Sequence, residues 1–285
     1  MQQKGIHWFP GHMQKALRQI EERVKIMDVV IELLDARAPL SCRNEYLYNI
    51  TKQKKRLIIL TKYDLADINI AKSWQSFFEQ NGNQVILGNL NDKNIVNEIT
   101  KKIEILGTDK REKEKRRGMK PQPIKTMIVG IPNVGKSTLI NRLAKRSAAS
   151  VQNTPGHTRS QQWIKVGNAF ELLDTPGVLP AYYEEKKYVV NLALIGSIKQ
   201  DILPISDLVE TLIEFLRNNY LNEFKTLYQL EDNIINDNNE ILLQIAKRRG
   251  LISKQGYEIS RSEILLLKEF KDGTICRVCL ERPGE

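Results

Sequence analysis

Residues 125–144, KTMIVGIPNVGKSTLINRLA, constrain the fold more than any other stretch. An apolar run of strand length meets a glycine-rich turn, and a helix-forming segment follows. Gly130 to Ser137 fits G-x-x-x-x-G-K-[ST], a phosphate-binding loop. Its glycines let backbone wrap closely round phosphate oxygens, while amides of the loop and helix start point at the anion. Asn133, Val134, Gly135, Lys136, Ser137 and Thr138 are therefore candidate phosphate-binding residues. The Lys136 side chain is expected to reach the β and γ phosphates, and the Ser137 hydroxyl to ligate magnesium. The bare pattern arises by accident in about one chain per hundred of this length. Such a loop usually opens its domain, yet more than a hundred residues precede this one.

Those residues carry the same alternation. DVVIELLD (28–35), RLIILT (56–61) and QVILG (84–88) read as buried strands, the latter two followed by helical stretches ending near Gln80 and at 106. Strands alternating with helices predict a mostly parallel sheet covered on both faces. QQWIKV (161–166) and AFELLD (169–174) are separated only by Gly167-Asn168, which predicts a hairpin and one antiparallel edge strand. Residues 110–123, KREKEKRRGMKPQP, read as a linker because charge and proline dominate. Beyond Pro180 the spacing turns helical. The expected organisation is an α/β domain over 1–182, joined internally by a basic linker at 107–124, and a helical domain over 183–285.

With 44 Lys and Arg against 34 Asp and Glu, the net charge of +10 favours a polyanionic partner or simple solubility. Three cysteines are too few for a disulfide framework, and Cys276-x-x-Cys279 lacks the further ligands a zinc site needs. No apolar run is long enough to span a bilayer, and MQQKGIHWFPGHM has no signal-peptide character. A cytoplasmic protein without membrane attachment is expected.

Asp174-Thr175-Pro176-Gly177 follows the strand FELL. An acid there can hold magnesium through water, and the Gly177 amide can sense a γ-phosphate. Between the two motifs, NTPGHT (153–158) supplies Thr158 as the candidate switch threonine for magnesium, with Thr154 as competitor. Guanine-specific sites normally carry N-K-x-D at a strand end, the acid accepting from N1 and the exocyclic amine. The match here is Thr61-Lys62-Tyr63-Asp64, upstream of the phosphate loop. Phosphate loop, threonine and D-T-P-G thus keep their usual succession while the base-reading motif has moved to the front.

This order resembles a circularly permuted GTPase. Termini of compact domains often lie close together, so they can be joined and the chain cut elsewhere without losing the sheet. Within that class the chain resembles the bacterial ribosome biogenesis GTPase A family. The motifs carrying the resemblance are HWFPGHM (7–13), LLDARAPLSCRN (33–44), TKYD (61–64), GIPNVGKSTLINRLAKR (130–146), TPGHTRSQQWIKV (154–166) and LLDTPGVL (172–179). The resemblance implies GTP and GDP as ligands with magnesium and potassium, and the large ribosomal subunit, rRNA included, as partner. It also implies His12 as the catalytic histidine and Asn133 as a potassium ligand, and it places Asp35 and Arg37 in the family's D-A-R motif. Thr61 departs from the expected asparagine, which predicts weaker nucleotide affinity, and Asn89 stands where a base-cradling serine is usual.

Val178 follows Gly177 where many GTPases place glutamine, and an apolar side chain cannot align water. On sequence alone His12 and His157 compete for that task, and the resemblance favours His12. The catalytic set expected is His12, Lys136, Thr158 and Gly177. The function expected is GTP hydrolysis by a monomeric assembly factor, stimulated by the large subunit and switching its ribosome affinity with nucleotide state. An RNA-binding scaffold with a structural nucleotide site, or an ATPase, are the alternatives.

Overall fold

A computed structural model describes residues 11–147, 163–183, 185–199, 202–254 and 256–284. Two compact units result: Met1–Glu185 with Cys279–Glu285, and Lys186–Val278. The division expected from sequence did not assign the last seven residues to the first unit.

The first unit runs α1 (Gly11–Val24), β1 (Val29–Asp35), α2 (Pro39–Cys42), α3 (Glu45–Thr51), β2 (Lys55–Thr61), α4 (Ile68–Gln80), β3 (Gln84–Gly88), α5 (Ile95–Leu106), α6 (Thr108–Arg116), β4 (Ile124–Val129), α7 (Lys136–Ser147), β5 (Trp163–Val166) and β6 (Phe170–Leu173). Its sheet order is β3-β2-β1-β4-β6-β5. Every pairing is parallel except β5 with β6, where Trp163 opposes Leu173 and Val166 opposes Phe170. The mostly parallel sheet with one antiparallel edge strand is thus present.

All seven residues of β1 are buried, as a strand covered on both faces requires. β4 lies between β1 and β6, so the first three strands extend the sheet on one side of the phosphate loop and the hairpin extends it on the other. The amphipathic α1 contributes Ala16, Leu17, Ile20 and Val24 to a buried cluster with Val129 of β4, Leu173 of β6 and Val178. A charge stands in the middle of β1: Glu32 is buried and accepts from Arg56 at 2.8 Å and Arg43 at 3.2 Å.

The segment 107–124 joins the two halves of the sheet, but its first part is α6 rather than open linker. Ion pairs order it. Lys110 Nζ donates to Asp28 at 2.7 Å and to the Pro123 carbonyl at 2.9 Å, and Lys55 pairs with Asp109 at 2.7 Å. Arg111 pairs with the buried Glu114.

The second unit comprises α8 (Lys186–Leu194), α9 (Ile205–Asn219), α10 (Leu221–Tyr228), α11 (Asn238–Arg249), a two-stranded ribbon of β7 (Ile252–Ser253) and β8 (Gly256–Tyr257), and α12 (Ile259–Lys271). Its core includes Leu212, Leu216, Phe224, Ile245, Leu267 and Phe270. Tyr228 donates to Glu269 at 2.5 Å, and Arg249 pairs with the same carboxylate at 3.0 Å.

Candidate functional site

The phosphate loop is the turn between β4 and α7. Gly135 has φ +107°, a conformation that L side chains rarely adopt, and the Leu139 amide donates to the Gly135 carbonyl at 3.0 Å to close the first helical turn. Asn133, at φ +59°, is one of three described non-glycine residues in the left-handed region, which asparagine tolerates better than most. Asn133, Ser137 and Thr138 are exposed, whereas Val134 is buried. Lys136 is buried, and its Nζ donates to the carbonyls of Gly130 at 3.0 Å and Ile131 at 2.7 Å. Burial pulls its pKa down to about 8, with Asp174 opposing the shift. The Asp174 carboxyl is pushed up by burial, while Lys136 and the Thr175 amide pull it back.

Asp174 directly follows β6, the strand beside β4, so D-T-P-G arrives directly at the loop. A methyl group at Gly177 would lie 2.7 Å from Lys136 Nζ and 3.0 Å from the Pro132 nitrogen. Only glycine permits that approach. Thr175 Oγ1 donates to the Ile128 carbonyl at 2.5 Å, and the Val178 amide donates to the Gly130 carbonyl at 3.4 Å. Val178 is fully buried, so its side chain offers nothing to a water at the phosphate end.

The base-reading candidates sit where β2 ends. Thr61 Oγ1 donates to the Val134 carbonyl of the phosphate loop at 2.9 Å and lies 3.2 Å from the Leu34 carbonyl. The residue that departs from the asparagine pattern therefore ties the two motifs together. Lys62 is in the left-handed region at φ +54°, and its Nζ lies 2.9 Å from Asp35 Oδ2. Asp64 is exposed in the short turn that follows. Asn89 Oδ1 accepts from the Asn91 amide at 2.8 Å, closing its own turn. Arg142 of α7 donates to the Asn91 and Asp92 carbonyls of that turn.

Asp35 and Arg37 form a buried bidentate pair, with Nε donating to Oδ1 at 3.0 Å and Nη2 to Oδ2 at 2.9 Å. Burial alone raises the Asp35 pKa, but Arg37 and Lys62 together outweigh it and hold the carboxyl ionised. Leu90 was not singled out in the sequence. It is buried, and its Cδ1 lies 2.7 Å from where a Cβ on Gly135 would stand. An apolar residue between Asn89 and Asn91 was its only signal.

The described residues therefore gather Thr61, Asn133, Val134, Gly135, Lys136, Ser137, Asp174 and Gly177 at the carboxyl ends of β2, β4 and β6, where parallel sheets bind ligands. His12 falls in the first turn of α1, and its side chain lies outside what is described. Thr158, Thr154 and His157 lie outside the described residues. The hard oxygen donors of Ser137 and Asp174 suit magnesium. Trp74 is fully buried and packs, its Nε1 donating to the Glu281 carbonyl at 3.0 Å.

Comparison with known proteins agrees with this geometry. A family model described as "50S ribosome-binding GTPase" matches residues 125–247. The chain is 41% identical over 281 residues to the Ribosome biogenesis GTPase A of Bacillus cereus, covering 98% of this chain and 95% of that protein. It superposes on GDP-bound TM YlqF with a TM-score of 0.65 at 27% identity, covering 94% of this chain and all of the other. For GNP-bound YlqF from T. maritima the TM-score is 0.62 at 27% identity, covering 95% and 99%. Both superpositions extend over nearly the whole chain. The displaced T-K-Y-D, the central phosphate loop and the near full-length identity have one explanation: the chain is a circularly permuted GTPase of the ribosome biogenesis GTPase A family.

Proposed function

We propose that the protein hydrolyses GTP as an assembly factor for the large ribosomal subunit, is stimulated by that subunit, and changes its grip on it with nucleotide state. The observation carrying this reading is the approach of Gly177 to Lys136 and Pro132. A segment packed that tightly on a phosphate loop must respond to what the loop holds. A γ-phosphate has to share the space beside Lys136 with the Gly177 amide.

In this reading Lys136 leaves the Gly130 and Ile131 carbonyls for the β and γ phosphates. Amides from Val134 to Thr138 line the same oxygens. Ser137, Asp174 and Thr158 would hold magnesium, which would supply neutralisation of developing phosphate charge, and Asn133 would contribute to a potassium site. Asp64 accepts from guanine, with Lys62 alongside the ring, Thr61 bracing the motif and Asn89 beneath the base. Water attacks the γ-phosphorus, the bond to the bridging β–γ oxygen breaks, and GDP and phosphate leave. Buried Val178 cannot orient that water, so the task passes to His12, on a helix whose later turns share a core cluster with Val129 and Val178. The net charge of +10 suits rRNA phosphates. The protein acts as a cytoplasmic monomer.

The test is GTP hydrolysis by purified protein in potassium buffer, with and without large subunits, beside His12→Ala and an ATP control. Stimulation specific to GTP, lost in His12→Ala while GTP binding persists, is expected. Subunit affinity that is equal in GDP and in a nonhydrolysable GTP analogue would sink the switch.

A further inference from the structure

The chain leaves the first unit after Glu185 and rejoins it at Cys279. Both stretches are fastened to one segment, residues 36–44, which follows β1 and contains α2. On the exit side Asn44 Nδ2 donates to the Val178 carbonyl at 3.0 Å, and the Tyr183 hydroxyl donates to the Ser41 carbonyl at 3.5 Å. On the return side the Leu280 amide donates to the Arg37 carbonyl at 2.7 Å. Glu281 then accepts from the Leu40 amide at 2.6 Å, the Ser41 amide at 2.9 Å and the Ser41 hydroxyl. Glu281 is only 5% exposed. A buried carboxylate is costly unless donors surround it, so a buried glutamate held by these donors is a built seat.

The inner side of the same segment faces the base-reading motif. Arg37, whose carbonyl receives Leu280, grips Asp35 through its guanidinium, and Asp35 holds Lys62. The Ala36 amide donates to the Thr61 carbonyl at 2.9 Å. The chain from Glu281 to Lys62 is therefore continuous: carboxylate, turn, arginine, aspartate, lysine. We infer that Glu281 is a positioning residue for guanine recognition, fixing the 37–41 turn so that Arg37 and Asp35 set Lys62 and, next to it, Asp64. This rests on the base-reading role proposed above for T-K-Y-D. Glutamine cannot replace it, because one side-chain oxygen cannot accept from both backbone amides while its NH2 faces one of them.

The experiment compares GDP with IDP, which lacks the exocyclic amine that Asp64 would bind, using the full chain. The affinity ratio reports the base contact and is insensitive to a general loss of folded protein. Glu281→Gln is expected to lower GDP affinity about tenfold and IDP affinity less than about threefold, the equilibrium weight of roughly one charged hydrogen bond. Ser41→Ala, which removes one donor and no charge, should shift the ratio the same way by about threefold, and it decides the matter if Glu281→Gln fails to fold. Asp64→Asn is the control and should collapse the ratio. A wild-type ratio in both Glu281→Gln and Ser41→Ala, with Asp64→Asn collapsed, overturns the positioning role alone. A wild-type ratio in Asp64→Asn overturns the base-reading role, and the inference with it.

Discussion

Around Gly130–Ser137 the phosphate end of the site is made of backbone: a left-handed glycine, loop amides, and a lysine whose amine rests on two carbonyls. Around Thr61–Asp64 the proposed base end is held by side-chain charge, with buried Asp35 between Arg37 and Lys62 and Glu281 accepting from the Ser41 amide beneath. Phosphate is the same in every nucleotide and suits a rigid cradle of amides. A purine edge demands one acid at one angle, and side chains can set that angle only if their own positions are over-determined. The difference teaches where damage shows. Variants at the phosphate end lose chemistry first, and variants at the base end lose stability first.

Lys136→Ala tests the first half of that contrast and carries the largest effect. GTP hydrolysis should fall by on the order of 10²–10³ or more, because in the proposed function the removed charge is the one aimed at the developing phosphate charge. Stability should move by less than about 1 kcal/mol, since relief from burying an amine offsets two carbonyls losing a donor. A steady-state rate beside a urea titration reads both. Large destabilisation would mean that Lys136 is a structural strut and would erase the contrast. Arg37→Leu tests the second half. It strips Asp35 of its bidentate partner and should cost about 3–5 kcal/mol, seen as a lower urea midpoint. An unchanged midpoint would show that Lys62 alone compensates Asp35.

The same contrast decides what the sequence could reveal. The phosphate loop and D-T-P-G are contiguous motifs whose chemistry depends on neighbours in the chain, so β4, α7, β6 and the placement of Gly177 were legible. The strands preceding the loop were legible from their apolar runs, and the permutation from the order of motifs. Ser41 and Glu281 are 240 positions apart, and no local pattern connects them. Nor did composition separate α6 from a solvated linker, because its order comes from Lys110 reaching Asp28, 82 positions away. Thr61 read as a weakened asparagine, and only the fold shows its hydroxyl reaching Val134.

Thr61 is where the two ends meet, so it sharpens the comparison at intermediate scale. Thr61→Val keeps the shape and deletes the hydroxyl, leaving the buried Val134 and Leu34 carbonyls without that donor. A cost of about 1–2 kcal/mol in stability is expected, with weaker GDP binding. Thr61→Ser should restore both. If Thr61→Val binds GDP as wild type does, the hydroxyl does not couple the motifs.

The smallest effect needs no mutation. Burial disfavours the Lys136 charge and pulls its pKa down to about 8. A polyphosphate favours the charged amine, so binding raises that pKa and takes up a proton as pH passes 8. Affinity is therefore nearly full at about pH 7 and declines as pH rises through about 8, by about fourfold between about pH 7 and 8.5 for a single such group. Guanosine, which shares the base end and has no phosphate, should show no such decline over that range. The depressed folded pKa also works on stability with the opposite sign. The unfolded chain binds more protons between about 8 and 10.5, so this group's penalty is relieved as pH rises through that window. GDP affinity that stays flat from pH 7 to 8.5 would place the Lys136 charge outside the phosphate contact, and the division between a backbone-built end and a charge-built end would need redrawing.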